Sequence, residues 1–323
     1  MKNLFITCIC ALLALPAGAA TRRIAGGDDL GRAVRTLKDN DTLVVAAGSY
    51  VVEGTLPVKR NTVIVGEAGT RPRIAVGSFR IGTGARHLVL RGLDLTLSAK
   101  YLVDTPSEGS VEIELVAIER CTVDLGGDTG AGLVGSRTSG TARNRIGEIR
   151  VEDCVVFNGG FPQHFVYSAA STSQTAVEKI RLSDSTFADM ARGAVAANAA
   201  MKTRIEIERC TFYDINRSDN KAGTIRLSNA TADIQITKSV FTFAGPASRF
   251  IIAGPGSKVA VENSWATGEL ASIPGARELK MLPAKASEAY EAPARNPLAE
   301  GVSLRLRENK APGSEIGDPR WNK

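Results

Sequence analysis

A short pattern that recurs along the middle of the chain constrains the fold most strongly, and it is clearest in residues 204–212, R-I-E-I-E-R-C-T-F. One apolar position of the pattern recurs at intervals of 25 to 33 residues, at Leu90, Ile118, Val151, Leu182, Ile207, Ile236 and Val261. Another apolar residue stands two positions earlier in each copy, and Leu, Cys or Ser stands three positions later. A constant core pattern joined by loops of variable length is typical of a solenoid.

Each repeat continues from this I-x-I strand through a turn into a second apolar strand. The second strands are predicted at 101–103, 132–134, 165–167, 194–197, 224–227 and 250–252. Alternate residues of a strand face opposite sides, so Ile205 and Ile207 are expected inside, with Glu206 and Glu208 outside. Short strands separated by turns, without helical periodicity, predict an all-β chain folded as a right-handed parallel β-helix.

The first twenty residues have the pattern of a secretory signal peptide. Lys2 is followed by an apolar run from Leu4 to Leu15 and by the small residues Ala17-Gly18-Ala19. This order of charge, apolar run and small-residue cleavage site predicts residues 1–20 as a signal peptide and a secreted or periplasmic protein. No later apolar run is long enough to span a membrane.

The remaining chain divides into three predicted parts. Residues 21–41 form a leader and an N-terminal capping helix, because Asp28 and Asp29 precede apolar residues at helical spacing from Leu30 to Leu37. Residues 42–268 form the β-helix. Residues 269–323 lack the repeat and are expected to be an irregular C-terminal tail packed on the solenoid, anchored by Trp321.

Charge and composition restrict the partners. The mature chain carries a net charge of about +5, against +6 for the whole sequence. A basic exported protein suits an acidic polysaccharide, with mere solubility as the equal alternative. Export and an aromatic content of 5% argue against nucleic acid, because few side chains are available to stack on bases. We expect a monomer.

Three cysteines outside the signal peptide, Cys121, Cys154 and Cys210, occupy one register of the repeat. They are expected to behave as small apolar residues stacked inside the solenoid. A disulfide between Cys121 and Cys154 is the alternative in an oxidising compartment, because the two lie on successive coils.

The sequence contains no metal-binding motif, nucleophile elbow or phosphate loop. His164, beside an apolar strand, is a candidate for lining a substrate groove, with ordinary surface decoration as the alternative. Tyr167, at the end of that strand, and Asn198 are the other two predicted substrate-binding residues. The outward residues Glu206 and Glu208 predict a charge ladder with Arg181 on the neighbouring coil. A calcium site built from the same two glutamates is the alternative, since hard cations bind clustered carboxylates.

The second strand of one repeat carries the strongest candidate for function. In K-A-G-T-I-R-L, residues 221–227, Arg226 is predicted to face outward between two inward apolar residues. The neighbouring coil presents small residues, among them Ala196 and Asn198. An arginine on a shallow floor can hold the carboxylate of a sugar bidentately, while an ordinary surface arginine is the alternative.

Several segments resemble the pectate-lyase-like β-helix superfamily, and the chondroitinase-B and alginate lyases within it. The opening coils carry the resemblance in D-N-D-T-L-V-V-A-A-G-S-Y (39–50), T-V-I-V-G-E-A-G-T-R-P-R-I (62–74) and H-L-V-L-R-G-L-D-L (87–95). The ending E-I-G-D-P-R-W (315–321) is similar to the terminal motif of uncharacterised exported β-helix proteins of this superfamily.

This resemblance implies a polysaccharide lyase that acts by β-elimination on a uronic-acid polysaccharide such as alginate, with calcium as a possible cofactor. It places Arg226 on the family's catalytic arginine, but Asn198 where the family has its lysine base. Lys221 or Arg192, in turns beside the same face, are the replacement candidates for proton handling. Because general-base assistance contributes roughly 10²- to 10⁴-fold to rate, a chain without a base would instead be a non-catalytic carbohydrate-binding β-helix protein.

Overall fold

The structure is a computed structural model, and it describes the chain in thirteen stretches. These are residues 19–106, 109–127, 132–136, 143–160, 163–169, 174–197, 199, 201–218, 223–243, 250–266, 279–281, 286–307 and 316–322. The predicted signal peptide lies almost wholly outside them.

One face of the solenoid, the first face, is a sheet of ten parallel strands. In spatial order they are Thr21–Ile24 (β1), Thr42–Val45 (β2), Thr62–Gly66 (β4), His87–Arg91 (β6), Glu112–Glu119 (β9), Arg145–Glu152 (β12), Ala176–Ser183 (β15), Lys202–Glu208 (β18), Thr231–Thr237 (β21) and Lys258–Glu262 (β24). The repeat residues predicted to share one position, from Leu90 to Val261, pair with one another on successive strands. The predicted register is therefore confirmed.

A second parallel sheet forms the other two faces, because two long strands turn a corner between them. Ser49–Val58 (β3) and Arg73–Ile81 (β5) pair along both halves, with a register irregularity at the corner of β3. The first half of β5 continues into β7 and the second half into β8. Each complete coil thus contributes a strand to each of three faces.

The strands of the second and third faces follow from these two. The second face contains Asp94–Leu97 (β7), Thr122–Asp124 (β10), Val155–Gly159 (β13), Thr186–Met190 (β16), Thr211–Ile215 (β19), Val240–Phe243 (β22), Ser264–Ala266 (β25) and Leu279–Met281 (β26). The third face contains Tyr101–Asp104 (β8), Gly132–Ser136 (β11), Tyr167–Ala169 (β14), Val195–Ala196 (β17), Ile225–Leu227 (β20) and Ile251–Ala253 (β23). The chain is a parallel β-helix, as predicted.

The corner between the first and second faces uses non-glycine residues in the left-handed region. Six coils turn there at φ between 46° and 52°, at Arg120, Asp153, Asp184, Arg209, Lys238 and Asn263. Such a conformation costs free energy for a residue with a Cβ atom. The cost is offset because the N–H groups of the turn keep hydrogen-bond partners. Those of Arg120, Asp153 and Arg209, for example, donate to carbonyls of the next coil.

The interior is a set of stacked columns of like residues. Phe187, Phe212 and Phe241 stack with ring centroids 5.0 and 4.5 Å apart, and all three are fully buried. Offset stacking adds to the free energy gained by burying each ring. The three cysteines also line the interior, and they are free thiols.

The stacked cysteines contact each other without a disulfide. The Cys121 amide donates to the Cys154 sulfur at 3.4 Å. Each thiol points to a backbone carbonyl of its own coil, Glu119 for the first and Glu152 for the second. The parallel register holds both side chains in the same orientation, so they pack as small residues.

A helix lies at the N-terminal end. Leu30–Arg35 (α1) begins after Asp29, whose side chain accepts the Arg32 N–H at 2.8 Å, and its apolar side joins the solenoid core. The helix is shorter than the sequence pattern indicates. It stops at Thr36, whose N–H turns back to carbonyls within the last turn. No described helix has the length and apolar character needed to cross a membrane.

Leu279–Met281 (β26) continues the sheet of the second face, and the described residues from 286 onward lie on the outside of that face. They include Ala286–Ala289 (α2), Tyr290–Ala292 (β27), the antiparallel Ser303–Leu306 (β28) and a 3-10 helix at Pro319–Trp321. Apolar residues on the outer surface of the second face pack against the segment, and the resulting cluster includes Val155, Phe157, Ala188, Tyr213, Val240, Tyr290, Leu304 and Leu306. This face is therefore covered, which leaves the first and third faces for a ligand.

Candidate functional site

The outward residues of the third face form one continuous row, here called the third-face row. Strand register aligns Pro57, Arg80, Asp104, Gly135, Ser168, Ala196, Arg226 and Ile252. The residues that flank Arg226 on its strand, Ile225 and Leu227, are fully buried. The middle of the row consists of the small residues Gly135, Ser168 and Ala196; the first two are buried, and Ala196, beside Arg226, is partly exposed. We call these three residues the floor of the row.

Arg226 is the exposed cation at one end of this floor. Its neighbours in the row are Ala196 and Ile252, neither of which can neutralise it. Within the part of the chain that the structure describes, its guanidinium forms no ion pair or hydrogen bond. An arginine that has both solvent access and a free guanidinium can bind a carboxylate without breaking an existing contact.

Arg80, at the other end of the floor, has a different environment. Its guanidinium lies 3.2 Å from the carboxylate of Asp104, which is only 2% exposed. Burying Asp104 without a cation would be costly, so Arg80 serves first to neutralise it. Five strand steps separate Arg80 from Arg226, which corresponds to about 24 Å.

An aromatic ring lies across the floor between them. A Cβ atom added to Gly135 would meet ring atoms of Tyr101 at 2.1 Å, so the ring occupies the space that any side chain would need there. The Tyr101 hydroxyl donates to Gln163 Oε1 at 2.7 Å, and the Ser168 hydroxyl donates to the same oxygen at 3.0 Å. Two strands and the turn before β14 thereby fix the ring as a flat, partly exposed surface.

Of the two predicted proton-handling residues, only Arg192 lies within the described part of the chain. Lys221 lies outside the described residues, as does the predicted substrate-binding residue Asn198. Arg192 lies in the turn before β17, next to Gly193, where an added Cβ atom would meet the Gly223 carbonyl at 2.3 Å. The turn of Arg192 therefore touches the turn that leads into the strand of Arg226.

Arg192 itself stands back from the row. It is four residues before Ala196, the partner of Arg226, which is about 13 Å along an extended chain. A guanidinium keeps its charge at physiological pH, so it neutralises a carboxylate rather than removing a proton. The geometry therefore suits Arg192 to charge neutralisation more than to base catalysis.

The two remaining predicted substrate contacts are buried. His164 is 5% exposed and Tyr167 is fully buried. Tyr167 pairs with Val134 and Val195, so it belongs to an inward column of the third face. Burial raises the pKa of its phenol. In this structure neither side chain has a surface from which to contact a polysaccharide.

The first face carries the predicted charge ladder, with partners that differ in part from those expected. Arg181 is the strand neighbour of Glu206, but the carboxylate forms ion pairs with Lys179 at 2.8 Å and Arg204 at 2.7 Å. Glu208 pairs with Arg209 at 2.8 Å. Burial raises the pKa of Glu206, but the hydrogen bond and charge of Lys179, together with the charges of Arg204 and Arg181, outweigh it and lower the pKa overall.

These pairs bear on the calcium alternative. A cavity of about 250 Å³ lies over this ladder, lined by Glu206 and Glu208 together with Arg181. Both carboxylates already hold cationic side chains of the chain itself. Among the described residues no group of three or more potential ligands is placed to hold a metal ion.

Sequence reasoning did not single out Arg80, Asp104 and Tyr101. The signal was present, because extending each second strand by one residue would have placed Asp104 beside Gly135 and both in the row of Arg226. The ring over Gly135 could not be anticipated, since a glycine in a strand is compatible with many kinds of close approach.

Comparison with known proteins bears on the fold. No family model matches the sequence, and no curated protein matches it. The chain is similar in fold to an alginate lyase. The solved structures are those of the PL6 family alginate lyase AlyGC, at 14% identity and a TM-score of 0.48, and of an arginine-to-alanine mutant of that enzyme, at 14% and 0.46. Each alignment covers 82% of this chain and 40% of the lyase, so this chain spans about two fifths of the lyase's length.

Proposed function

We propose that this protein binds an acidic polysaccharide of the uronic-acid type along the third face, with Arg226 holding one of its carboxylates. The observation that carries the proposal is the exposed guanidinium of Arg226, which has no partner among the described residues and lies beside the small, partly exposed Ala196. A small neighbour lets a sugar ring approach, and a bidentate contact to arginine fixes the carboxylate in one orientation.

Two further features of the row support a sugar chain as the ligand. Tyr101 presents a flat ring on the same floor, held by its bond to Gln163. The amide nitrogen of Gln163 makes no hydrogen bond with the described residues, so it is free to donate to a sugar hydroxyl. Ligand sites for sugars combine an apolar surface with a few polar groups of this kind.

The reaction proposed for the bound chain is β-elimination, as the resemblance to β-helix lyases implies. A base removes the proton on C5 of the uronate, the electron pair forms the C4–C5 double bond, and the C4–O bond breaks as the leaving sugar takes up a proton. Arg226 would neutralise the carboxylate whose charge disfavours proton removal, and Lys221 is the candidate base. The alternative is retention of the polysaccharide without cleavage.

The location and cofactor belong to the same proposal. The signal-peptide pattern of residues 1–20 supports export to the periplasm or the medium, where extracellular polysaccharides are found. Calcium is proposed only as an accessory to substrate neutralisation, so activity is to be measured with calcium and with a chelator.

Binding and cleavage are separable by experiment. The protein is incubated with alginate, pectate and glycosaminoglycans while ultraviolet absorbance reports unsaturated product, and calorimetry reports binding of the corresponding oligosaccharides. Arg226→Gln should weaken binding roughly 10- to 100-fold, since a hydrogen bond to a charged group contributes about 1.5–3 kcal/mol. Lys258→Gln, which removes an exposed charge from the first face, is the matched control and should have little effect.

The possible results test the lyase activity and the binding site separately. Binding that depends on Arg226 but gives no unsaturated product with any polysaccharide removes the lyase and leaves the binding protein. Equal binding by wild type and Arg226→Gln removes the proposed site.

A further inference from the structure

A second basic site lies at the N-terminal end of the solenoid. A cavity of about 180 Å³ opens between α1 and the end of β3. Three cations line it, Arg35, Lys59 and Arg60, over an apolar base that includes Leu37 and Pro57. We call this the N-terminal basic pocket.

The described residues provide no ion pair for the three cations, and no acidic residue lines the cavity. By contrast, Arg23 on β1 is paired with Glu67 at 2.6 Å. Grouping like charges without a partner is unfavourable, so an anion in the pocket would relieve their repulsion.

Carboxylates beside the pocket hold the chain around it. Asp39 accepts the Asn61 N–H at 3.0 Å, and Asp41 accepts backbone N–H groups of Ala20 and Lys38. Arg35, Lys59 and Arg60 are all exposed to solvent.

The pocket adjoins the third-face row. Pro57 on its base pairs with Arg80 and is the first residue of that row. The Gly82 N–H donates to the Val58 carbonyl at 2.8 Å, which places a residue without a side chain beside Lys59. Six strand steps, about 29 Å, separate Pro57 from Arg226.

We infer that the N-terminal basic pocket binds an acidic sugar at one end of a polysaccharide that lies along the third face. This inference rests on the proposed function, and it adds a second anionic subsite remote from Arg226. The volume suits one sugar unit with its carboxylate, and the apolar base suits the ring. The chain would then be held at two charged positions with Tyr101 between them.

The test compares alginate oligosaccharides of two lengths. Calorimetry measures binding of an alginate octasaccharide and a disaccharide to wild type, Arg226→Gln and the double variant Arg35→Gln/Arg60→Gln. The double variant should lose about tenfold or more in affinity for the octasaccharide, which can reach both positions, and less for the disaccharide. Arg32→Gln is the matched control, because Arg32 is exposed on the same helix but does not line the pocket.

The results separate the two proposals. Octasaccharide affinity that depends on Arg226 and is unchanged in the double variant overturns the pocket and leaves the proposed function. A wild-type protein that does not bind the octasaccharide overturns both for this polysaccharide. An equal loss in Arg32→Gln would show that net charge, not the pocket, determines binding.

Discussion

Arg80 and Arg226 lie in the same row of the third face and face the same solvent, yet their surroundings give them different chemistry. Arg80 is committed to the buried carboxylate of Asp104. Arg226 lies between alanine and isoleucine, and its guanidinium has no partner among the described residues. The identity of the cross-strand neighbour therefore decides whether an arginine in this row serves stability or binding.

The hydroxyl of Tyr167 provides a test of whether this side chain points into the core. Its hydroxyl is buried and makes no hydrogen bond with the described residues, and such a group costs free energy. Tyr167→Phe should leave the free energy of unfolding unchanged or raise it by about 1 kcal/mol, and should leave oligosaccharide binding unaltered. Urea unfolding measures the first and calorimetry the second.

Tyr101→Phe is the contrasting variant for this measurement. It removes the hydroxyl that bonds to Gln163, so it should lower stability by about 1 kcal/mol. A clear loss of stability in Tyr167→Phe would mean that the hydroxyl has a partner and would reopen a polar role for it.

Glu206 makes the first-face ladder dependent on pH. Its pKa lies below that of a free glutamate, so its contribution to stability is present above about pH 4.3 and is lost as pH falls through the lowered pKa. Glu206→Gln should cost about 0.5 kcal/mol at pH 7 and less at pH 3, as measured by urea unfolding. Glu262→Gln is the control, since Glu262 is exposed and forms no ion pair within the described chain. A cost that is the same at both pH values would contradict the ladder.

At the scale of elements, neighbouring strands of the third face depend on one another through Tyr101 and Gly135. Gly135→Ala introduces a Cβ atom 2.1 Å from the ring, so it should destabilise the protein by about 1–3 kcal/mol. Removing the ring first, in Tyr101→Ala, should make the same glycine substitution nearly neutral. Urea unfolding of the two single variants and the double variant gives the coupling energy, and additive effects would show that the ring does not lie over Gly135.

The G-D-P-R-W motif fastens the C-terminal segment to the second face. The Asp318 carboxylate accepts a hydrogen bond from the Thr186 hydroxyl at 2.6 Å. The backbone N–H of Asp318 donates to the Thr211 hydroxyl at 2.9 Å. The Trp321 indole N–H donates to the same Thr186 oxygen at 2.8 Å. Gly317, at φ 80°, lets the chain enter this contact, since a Cβ atom there would meet Thr211 at 2.8 Å.

Loss of this contact should release the segment. Asp318→Ala removes the acceptor of the Thr186 hydroxyl and one of two ion-pair partners of Arg320, the other being Asp153, and should lower stability by about 2 kcal/mol. Hydrogen exchange of residues 286–307 should rise with it, because their apolar cluster on the second face loses its fastening. Glu300→Ala, an exposed change in the same segment, is the control. Unchanged exchange in Asp318→Ala would show that the apolar cluster holds the segment alone.

The elements divide into those the sequence predicts and those it does not. The apolar residues recur once in every coil, so the pairing of Ile207 with Leu182 and Ile236 can be predicted from the sequence alone. The ion-pair partners of Glu206 cannot be predicted in this way, because several cations lie within reach and side-chain geometry selects among them. The burial of Tyr167 could not be predicted either, because the strand runs from Tyr167 to Ala169 rather than over 165–167 and its first side chain lies in the core.

At the scale of the molecule, the covering of one face determines where a ligand can bind. A solenoid offers three long surfaces, and the C-terminal segment occupies the second. The first is a ladder of paired charges, which leaves the third face with its free arginine and the N-terminal basic pocket. The residues that cover the second face are distant in sequence and lack the repeat, so this arrangement could not be read from the sequence pattern.

A crystal structure of the protein with an alginate octasaccharide tests the central claim most directly. The account predicts an extended sugar chain along the third face, with a carboxylate on Arg226 and a ring over Tyr101. A chain bound over the first-face charge ladder, or on the third face without contact to Arg226, would contradict it.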